Sequence, residues 1–239
     1  MTYLFHTLLT IPIFNLLVVL YKYVAFQDLG FAIILLTIVI RVVLYPLFYK
    51  SFRNQTIMQK VQPEIARVQQ QHKGNKEEQA KAALALYKQY KVNPFSSFFF
   101  VLLQLPLLIA VYQVFSVGFT TEAFSQLYSF VSAPAVINNT LFGFMDITQP
   151  SWMIVIFAVI AQFLQSWLAL PKTKPGQQPD KNAKMAKNMA YIAPLLTILI
   201  LPKLPAAVGI YWCITSLFSV GQQYAINKTI SKEEAGKTA

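Results

Sequence analysis

The chain has 239 residues, of which 56% are hydrophobic and only 12% are charged, and its formal net charge at pH 7 is +11. Soluble domains carry roughly 25% charged residues. The apolar residues here fall in blocks close to the roughly 20 residues that cross a bilayer as a helix. The composition therefore excludes a soluble globular protein and predicts an all-α, polytopic membrane protein. The single cysteine, Cys213, excludes a disulfide framework and a cysteine-based metal site.

Residues 1–29 contain an apolar run whose relation to the membrane is open. Residues 8–26 are apolar enough to span a bilayer, but Thr10, Pro12 and Asn15 interrupt them and Lys22 closes them. The run lacks the basic start and the small-residue cleavage site of a secretory signal. We predict a helix that lies on the outer membrane surface and leads into the first span.

Five segments are predicted to span the membrane: residues 30–50, 94–116, 151–170, 188–202 and 205–226. They are joined by residues 51–93, an external loop (117–150) and a cytoplasmic loop (171–187), and a short basic tail (227–239) follows. The fourth span is short, and only residues 202–205 separate it from the fifth, so these two spans are expected to form a tight hairpin.

The basic residues predict the orientation of the chain. Residues 50–92 hold nine Lys and Arg residues, residues 171–187 hold five and the tail holds three, whereas the opposite side has only Lys22 and Lys203. Cytoplasmic loops carry an excess of Lys and Arg. We therefore place the two basic loops and the C-terminus in the cytoplasm and the N-terminus outside.

The cytoplasmic segment 51–93 is predicted to form a helical hairpin. Apolar residues recur at helical spacing in two series, first Ile57, Val61, Ile65 and Val68, and then Ala80, Ala83, Leu84, Tyr87 and Tyr90. The Lys-Gly-Asn sequence between them is typical of a turn. Pro63 predicts a restart within the first arm, because proline breaks a helix interior. A solvated basic loop with partial helicity is the alternative.

One face of the first span is polar, because Thr37, Arg41 and Tyr45 recur at intervals of four residues. A charge in the middle of a span costs about 2.5–3.5 kcal/mol on insertion scales. None of the five predicted spans contains an Asp or Glu that could pair with Arg41. An unpaired guanidinium at that depth needs water, so we predict a wet, positively charged cavity open to the cytoplasm.

Other polar side chains fall at membrane depth in the remaining spans: Gln104 in the second, Gln162 and Gln165 in the third, and Trp212 and Ser216 in the fifth. Scattered polar residues in spans usually hold helices together and contribute under about 1–2 kcal/mol each. That structural role remains open for these residues. Arg41 favours the other interpretation, in which they line the cavity with it. A positive cavity of this kind would attract an anion or an acidic peptide segment.

Several short motifs occur in a fixed order along the chain. They are Tyr45-Pro46-Leu47 after Arg41, Gln62-Pro63, Asn93-Pro94, Gln104-Leu105-Pro106 with Tyr112, Leu204-Pro205, Tyr211-Trp212 and Gln222-Gln223. In order and spacing they resemble the YidC/Oxa1/Alb3 membrane protein insertases, in the single-core form without a large extracytoplasmic domain. The resemblance implies a five-helix bundle around a hydrophilic groove that is open to the cytoplasm and to lipid. It also implies that Arg41 is the groove arginine and that residues 51–93 form a mobile, substrate-receiving hairpin.

We accordingly expect a bacterial plasma-membrane insertase and chaperone that uses no nucleotide, cofactor or metal and is not an enzyme. No G-x-x-x-x-G-K-[ST] motif is present. The expected partners are the lipid bilayer and newly made membrane proteins with short polar or acidic translocated segments. The ribosome and a Sec translocon are further candidates, and no specific nucleic acid is expected. A small-anion channel, a secondary transporter or a non-catalytic subunit of a larger membrane complex remains an alternative.

Overall fold

The structure, a computed structural model, describes residues 2–170 and 181–238. Residues 171–180 of the predicted cytoplasmic loop 171–187 lie outside the described residues. Nearly all regular structure in the described ranges is helical, which confirms the all-α class. The helices are α1 (Thr2–Phe5), a π-helical turn (His6–Thr10), α2 (Ile11–Tyr23), α3 (Leu29–Val43), α4 (Tyr45–Gln71), α5 (Lys76–Gln89), α6 (Ser96–Val117), α7 (Thr121–Phe124), α8 (Trp152–Leu168), α9 (Lys181–Ile200), a 3₁₀ turn (Leu201–Lys203) and α10 (Ala206–Thr238). Strands β1 (Thr140–Leu141) and β2 (Met145–Asp146) pair antiparallel.

Helix lengths set which segments can cross a bilayer unaided. Among the described residues, Tyr3–Tyr23 is the one continuous helix that is long and apolar enough, and α3 with α4 reaches that length across a bend of 70°. Leu102–Ser116, Trp152–Leu168 and Tyr191–Lys203 are apolar but shorter. A helix of 13–17 residues is about 20–26 Å long, so these segments would need flanking residues to cross about 30 Å of hydrocarbon.

The predicted first span, residues 30–50, is divided into two helices. Helix α3 ends at Val43, and α4 begins at Tyr45 with a proline, Pro46, in its first turn. Pro46 has no backbone N–H to donate to the Val42 carbonyl, and in one continuous helix its ring would clash with that carbonyl. The chain therefore turns at Leu44, and the polar face that Thr37 and Arg41 begin does not continue straight to Tyr45.

Helix α10 is the central element of the bundle. It packs against α3, α4, α6 and α8. Its contact with α8 is close at Gly209, where an added Cβ would lie 2.6 Å from Ile154 Cγ2. Small residues allow membrane helices to approach in this way. The helix continues to Thr238, so the predicted tail 227–239 extends α10 through that residue.

Helices α4 and α5 share a small apolar cluster of their own. Val61, Ile65, Ala83 and Leu86 are buried against each other, separate from the main cluster of the bundle. Asn75 Oδ1 accepts hydrogen bonds from the backbone N–H groups of Glu77 and Glu78 and so caps α5. The predicted restart at Pro63 does not occur, because α4 is continuous through it. Pro63 is exposed, and its missing backbone N–H removes the donor that the Gln59 carbonyl would have in a regular helix.

Helix α2 holds the connection between α6 and α8, which was predicted to be an external loop, against the bundle. Asn15 Nδ2 donates to the Gln126 carbonyl at 3.2 Å, and Asn15 Oδ1 accepts from the Tyr128 N–H at 2.7 Å. The Tyr21 hydroxyl donates to the Val136 carbonyl and accepts from the Asn138 N–H. These contacts explain why a polar residue interrupts the apolar run, because the Asn15 side chain is buried and both its nitrogen and its oxygen are hydrogen-bonded. Whether residues 1–29 lie on the membrane or cross it stays a prediction.

Candidate functional site

Arg41 lies in the last turn of α3, next to the bend at Leu44. The bend brings Phe48 of α4 over the guanidinium, with Arg41 Cζ 4.1 Å from the ring centroid. A cation over an aromatic face is attracted by the ring quadrupole, and a cation is also favoured at a helix C-terminus by the helix dipole. Pro46, which ends α3, thereby provides two sources of stabilisation for the buried charge.

The polar partner of Arg41 is an amide. Arg41 Nη2 donates to Gln104 Oε1 at 3.2 Å, and Gln104 Nε2 donates to the Tyr211 hydroxyl at 3.1 Å. This chain of contacts joins α3, α6 and α10. Arg41 is only 2% exposed, and its Nη1 has no hydrogen-bond partner within the described part of the chain. Since a buried charge without full hydrogen bonding is costly, Nη1 is positioned for water or for a polar group that enters.

A second polar cluster joins α8, α9 and α10. Gln162 Oε1 accepts a hydrogen bond from Trp212 Nε1 at 2.8 Å and another from the Thr197 hydroxyl. Thr197 is 1% exposed. The predicted site residues Gln162 and Trp212 are therefore brought together, but in a contact with each other and not with Arg41. Thr197 was missed by sequence analysis, although a threonine in an apolar span is the type of residue that forms such contacts.

The other four predicted site residues lie apart from these two clusters. Thr37 is fully buried, and its hydroxyl donates to the Ile33 carbonyl of its own helix at 2.7 Å. Tyr45 lies beyond the bend, 40% exposed, with its ring 6.0 Å from that of Tyr49. Gln165 is half-buried on α8, and Ser216 is buried on α10. The bend at Leu44 separates Tyr45 from the face that carries Arg41.

A third polar cluster, missed by sequence analysis, lies further along α10. Gln223 Nε2 donates to Thr56 Oγ1 at 2.6 Å and to Asn227 Oδ1 at 3.1 Å, and Thr56 Oγ1 donates to Asn227 Oδ1 at 3.0 Å. Gln222 is 5% exposed, and neither of its amide atoms has a partner in the described part of the chain. The sequence predicts a polar stripe of Trp212, Ser216 and Ser219 on the fifth span, and Gln223, four residues after Ser219, continues that stripe into this cluster.

A cavity of about 210 Å³ lies elsewhere in the molecule. Leu29, Phe119, Asn139, Ile147 and Pro205 are among its lining residues. Leu29 begins α3 and Arg41 is twelve residues further along, about 18 Å at 1.5 Å per residue. The cavity therefore does not contain the Arg41 cluster. Among the described residues, no group of three or more His, Cys, Asp or Glu could hold a metal ion.

Comparison with known proteins gives a consistent picture. The family model described as "60Kd inner membrane protein" matches residues 19–234. The chain is 31% identical over 210 residues to a protein of Clostridium tetani named "Membrane protein insertase YidC", covering 88% of this chain and 86% of that one. A Fusobacterium nucleatum protein of the same name is 30% identical over 87% of this chain and 89% of its own length. A Rickettsia bellii protein of that name is 30% identical over 92% of this chain, which spans only 39% of it.

These matches agree with the motif order, the apolar helices and the buried arginine described above. The chain belongs to the 60Kd inner membrane protein family, the YidC/Oxa1 family of membrane protein insertases, which is not a family of enzymes.

Proposed function

We propose that the chain integrates newly made membrane proteins through a hydrophilic groove whose inner end is Arg41. The observation that carries this proposal is the pairing of a 2% exposed guanidinium with a neutral amide, while Nη1 has no partner in the described part of the chain. A carboxylate partner would cancel the positive field of Arg41. A glutamine holds the guanidinium in place and leaves that field available to a client.

The groove is proposed to run from Arg41 along α10 towards the hairpin. Gln104 and Tyr211 position Arg41, and Ser216, Gln222 and Gln223 continue the polar surface. Gln162 and Trp212 are assigned to holding α8, α9 and α10 together, because Gln162 Oε1 already accepts hydrogen bonds from Trp212 Nε1 and from the Thr197 hydroxyl. Thr37 is assigned to its own helix, where its hydroxyl is used. Gln165 and Tyr45 remain proposed as groove residues at its margin.

In the proposed mechanism, an acidic or polar client segment enters the groove from the cytoplasm. A client carboxylate accepts a charge-assisted hydrogen bond from Arg41 Nη1, replacing water. The groove shortens the apolar distance that this segment must cross. The flanking apolar segment of the client then partitions into lipid, which supplies about 25 cal/mol for each Å² of apolar surface removed from water. No nucleotide or cofactor is required.

The proposed orientation keeps five spans, with the N-terminus outside and the C-terminus and the hairpin in the cytoplasm. Two observations support it. The predicted external segment meets the start of α3, where the Leu29 N–H donates to the Asn138 carbonyl. The basic helix α4 begins at the opposite end of α3, so the two predicted sides are separated by the length of that helix. Helices α4 and α5 are proposed to form the substrate-receiving hairpin, since few apolar residues hold them together. The plasma membrane, the ribosome and a Sec translocon are proposed as the setting and partners.

Reconstitution of the chain alone in liposomes tests the proposal. The client is a single-span protein with an acidic leading tail, and its insertion is measured by protection of the tail from external protease. We expect insertion without nucleotide and no flux of labelled chloride through the same vesicles. Chloride flux without client insertion would contradict the proposal and favour an anion channel.

A further inference from the structure

The external segment ends in a short β-hairpin with an apolar, exposed tip. Residues 138–148, here called the finger, contain β1 and β2 with Thr140 paired to Asp146 and Leu141 paired to Met145. Phe142 is 59% exposed and Phe144 is 72% exposed. Two large aromatic side chains thus project from a turn where polar residues are usual.

The turn of the finger has a conformation that phenylalanine disfavours. Phe142 has a φ of 54° and Gly143 a φ of 77°, and the Phe144 N–H donates to the Leu141 carbonyl at 3.3 Å. Positive φ at both central residues is the pattern of a type I′ turn, for which Asn, Asp and Gly are favoured. A bulky residue at positive φ is an outlier that persists where the surroundings and the function require it.

The base of the finger contains internal hydrogen bonds and packs closely against α3. Thr148 donates to Asp146 Oδ1 from both its N–H, at 2.8 Å, and its hydroxyl, at 2.7 Å. These bonds lower the pKa of Asp146, because they stabilise its carboxylate form. Leu141 packs so closely on α3 that a Cβ added at Gly30 would lie 2.7 Å from its side chain. The finger is therefore a fixed element with a charged base and an apolar tip.

The aromatic tip continues an apolar stripe on α3. Phe142 lies 6.0 Å from Phe31 and 6.4 Å from Phe144, measured between ring centroids. Phe31 is followed on the same face of α3 by Ile38, which is 37% exposed, and Val42, which is 58% exposed. Arg41 lies about 80° around the helix from Phe31, so its buried face is next to this exposed stripe. In a membrane-spanning bundle an exposed apolar stripe faces lipid, so the finger extends a lipid-facing surface beyond the end of the helix.

We infer that Phe142 and Phe144 anchor the finger in the adjacent phospholipid leaflet, at the boundary between headgroups and acyl chains. Aromatic residues are enriched at that depth. A second exposed phenylalanine at positive φ, Phe26 (φ 52°, 90% exposed), precedes α3 at the same end and adds to this anchor. The anchor fixes the height of α3, and so the depth of Arg41 at its other end.

Depth-dependent quenching tests the anchor on the full-length protein. In a Cys213→Ser background, a fluorophore is attached to Phe144→Cys, to Phe26→Cys or, as the matched control, to Glu122→Cys, an exposed charged position in the same external segment. The proteins are reconstituted in phosphatidylcholine–phosphatidylglycerol vesicles. We expect labels at 144 and 26 to be quenched by lipids spin-labelled near the headgroup and shielded from iodide, and the label at 122 to show the reverse.

Phe142→Asn separates anchoring from folding. Asparagine suits positive φ, so the thermal midpoint in detergent should be retained while lipid quenching at residue 144 falls towards the control value. Iodide quenching at residues 144 and 26 equal to that at 122 would overturn the inference. So would shielding that disappears on dilution of the protein in lipid, because that result would identify a second copy of the chain as the partner.

Discussion

Arg41 Nη2 donates to Gln104 Oε1 at 3.2 Å, and Gln104 in turn donates to the Tyr211 hydroxyl. A fixed neutral amide on α6 therefore orients a cation on α3. This relationship differs from a buried ion pair, in which the partner neutralises the charge and the desolvation cost can exceed the Coulombic gain. In the proposed mechanism, this arrangement presents a positive charge to a client carboxylate that binds transiently.

The proposed orientation predicts from which side of the membrane a cysteine in each loop can be labelled. In a Cys213→Ser background, a cysteine at Lys73, beside the exposed turn of the hairpin, should react with an impermeant maleimide only from the cytoplasmic face. A cysteine at Asn138, in the finger, should react only from outside. Labelling of residue 73 from outside would overturn the orientation and, with it, the direction of client entry.

The hairpin of α4 and α5 should unfold locally while the rest of the bundle stays folded. Leu86 is 8% exposed and Leu84 on the same helix is 54% exposed. Leu86→Ala should destabilise the α4–α5 contact by about 2 kcal/mol or more, whereas Leu84→Ala should have an effect within about 0.5 kcal/mol. Hydrogen exchange checks this, with faster exchange in residues 76–89 of the Leu86 variant and unchanged exchange in α8 and α10. Faster exchange throughout the bundle would show that the hairpin is structural.

The hydroxyl of Tyr90 should have a pKa above that of an ordinary tyrosine. Its hydroxyl donates to Glu64 Oε2 at 2.7 Å, and this hydrogen bond is the first cause of the raised pKa of Tyr90. The contact therefore supports the hairpin below the ordinary pKa of 10.0 and is lost as the pH rises through the raised value. Tyrosine NMR should show the Tyr90 midpoint move down in Glu64→Gln. An unchanged midpoint in that variant would mean that Glu64 is not the cause.

Substitution of Gln162 should lower the stability of the bundle and substitution of Gln165 should not, although both residues lie on α8. Gln162→Leu leaves the Trp212 and Thr197 donors without their shared acceptor, so we expect a loss of about 1 kcal/mol in stability, within the range measured for such contacts in membranes. Gln165→Leu, the matched control, should leave the thermal midpoint in detergent unchanged. Equal midpoints for the two variants would contradict the assignment of Gln162 to helix packing.

Hydropathy and charge were sufficient to predict the helical class and the buried stripe residues Val61 and Ile65. They could not predict that Gln104 contacts Tyr211, 107 residues away. Lipid is as apolar as a helix–helix interface, so apolar periodicity does not specify how each helix is rotated. The division at Leu44 did have a local signal in Pro46, but an apolar run on both sides of that proline favoured one long helix.

Three substitutions of Arg41 address the mechanism. If the charge matters more than the geometry of the guanidinium, Arg41→Lys should keep much of the insertion activity. Arg41→Ala should fail most on clients with acidic leading tails. Arg41→Glu should be the poorest on those clients and should recover with clients that carry basic tails. These outcomes follow from the sign of the field at the inner end of the groove.

The most direct test combines the thermal midpoint of Arg41→Ala with its insertion of two matched clients, one acidic-tailed and one neutralised. Removal of a buried, incompletely bonded charge should leave the midpoint unchanged or raise it, while insertion of the acidic-tailed client falls well below that of the neutral one. A lowered midpoint with equal loss of both clients would contradict the account, because it would make Arg41 a structural residue held by Gln104 and not a charge presented to clients.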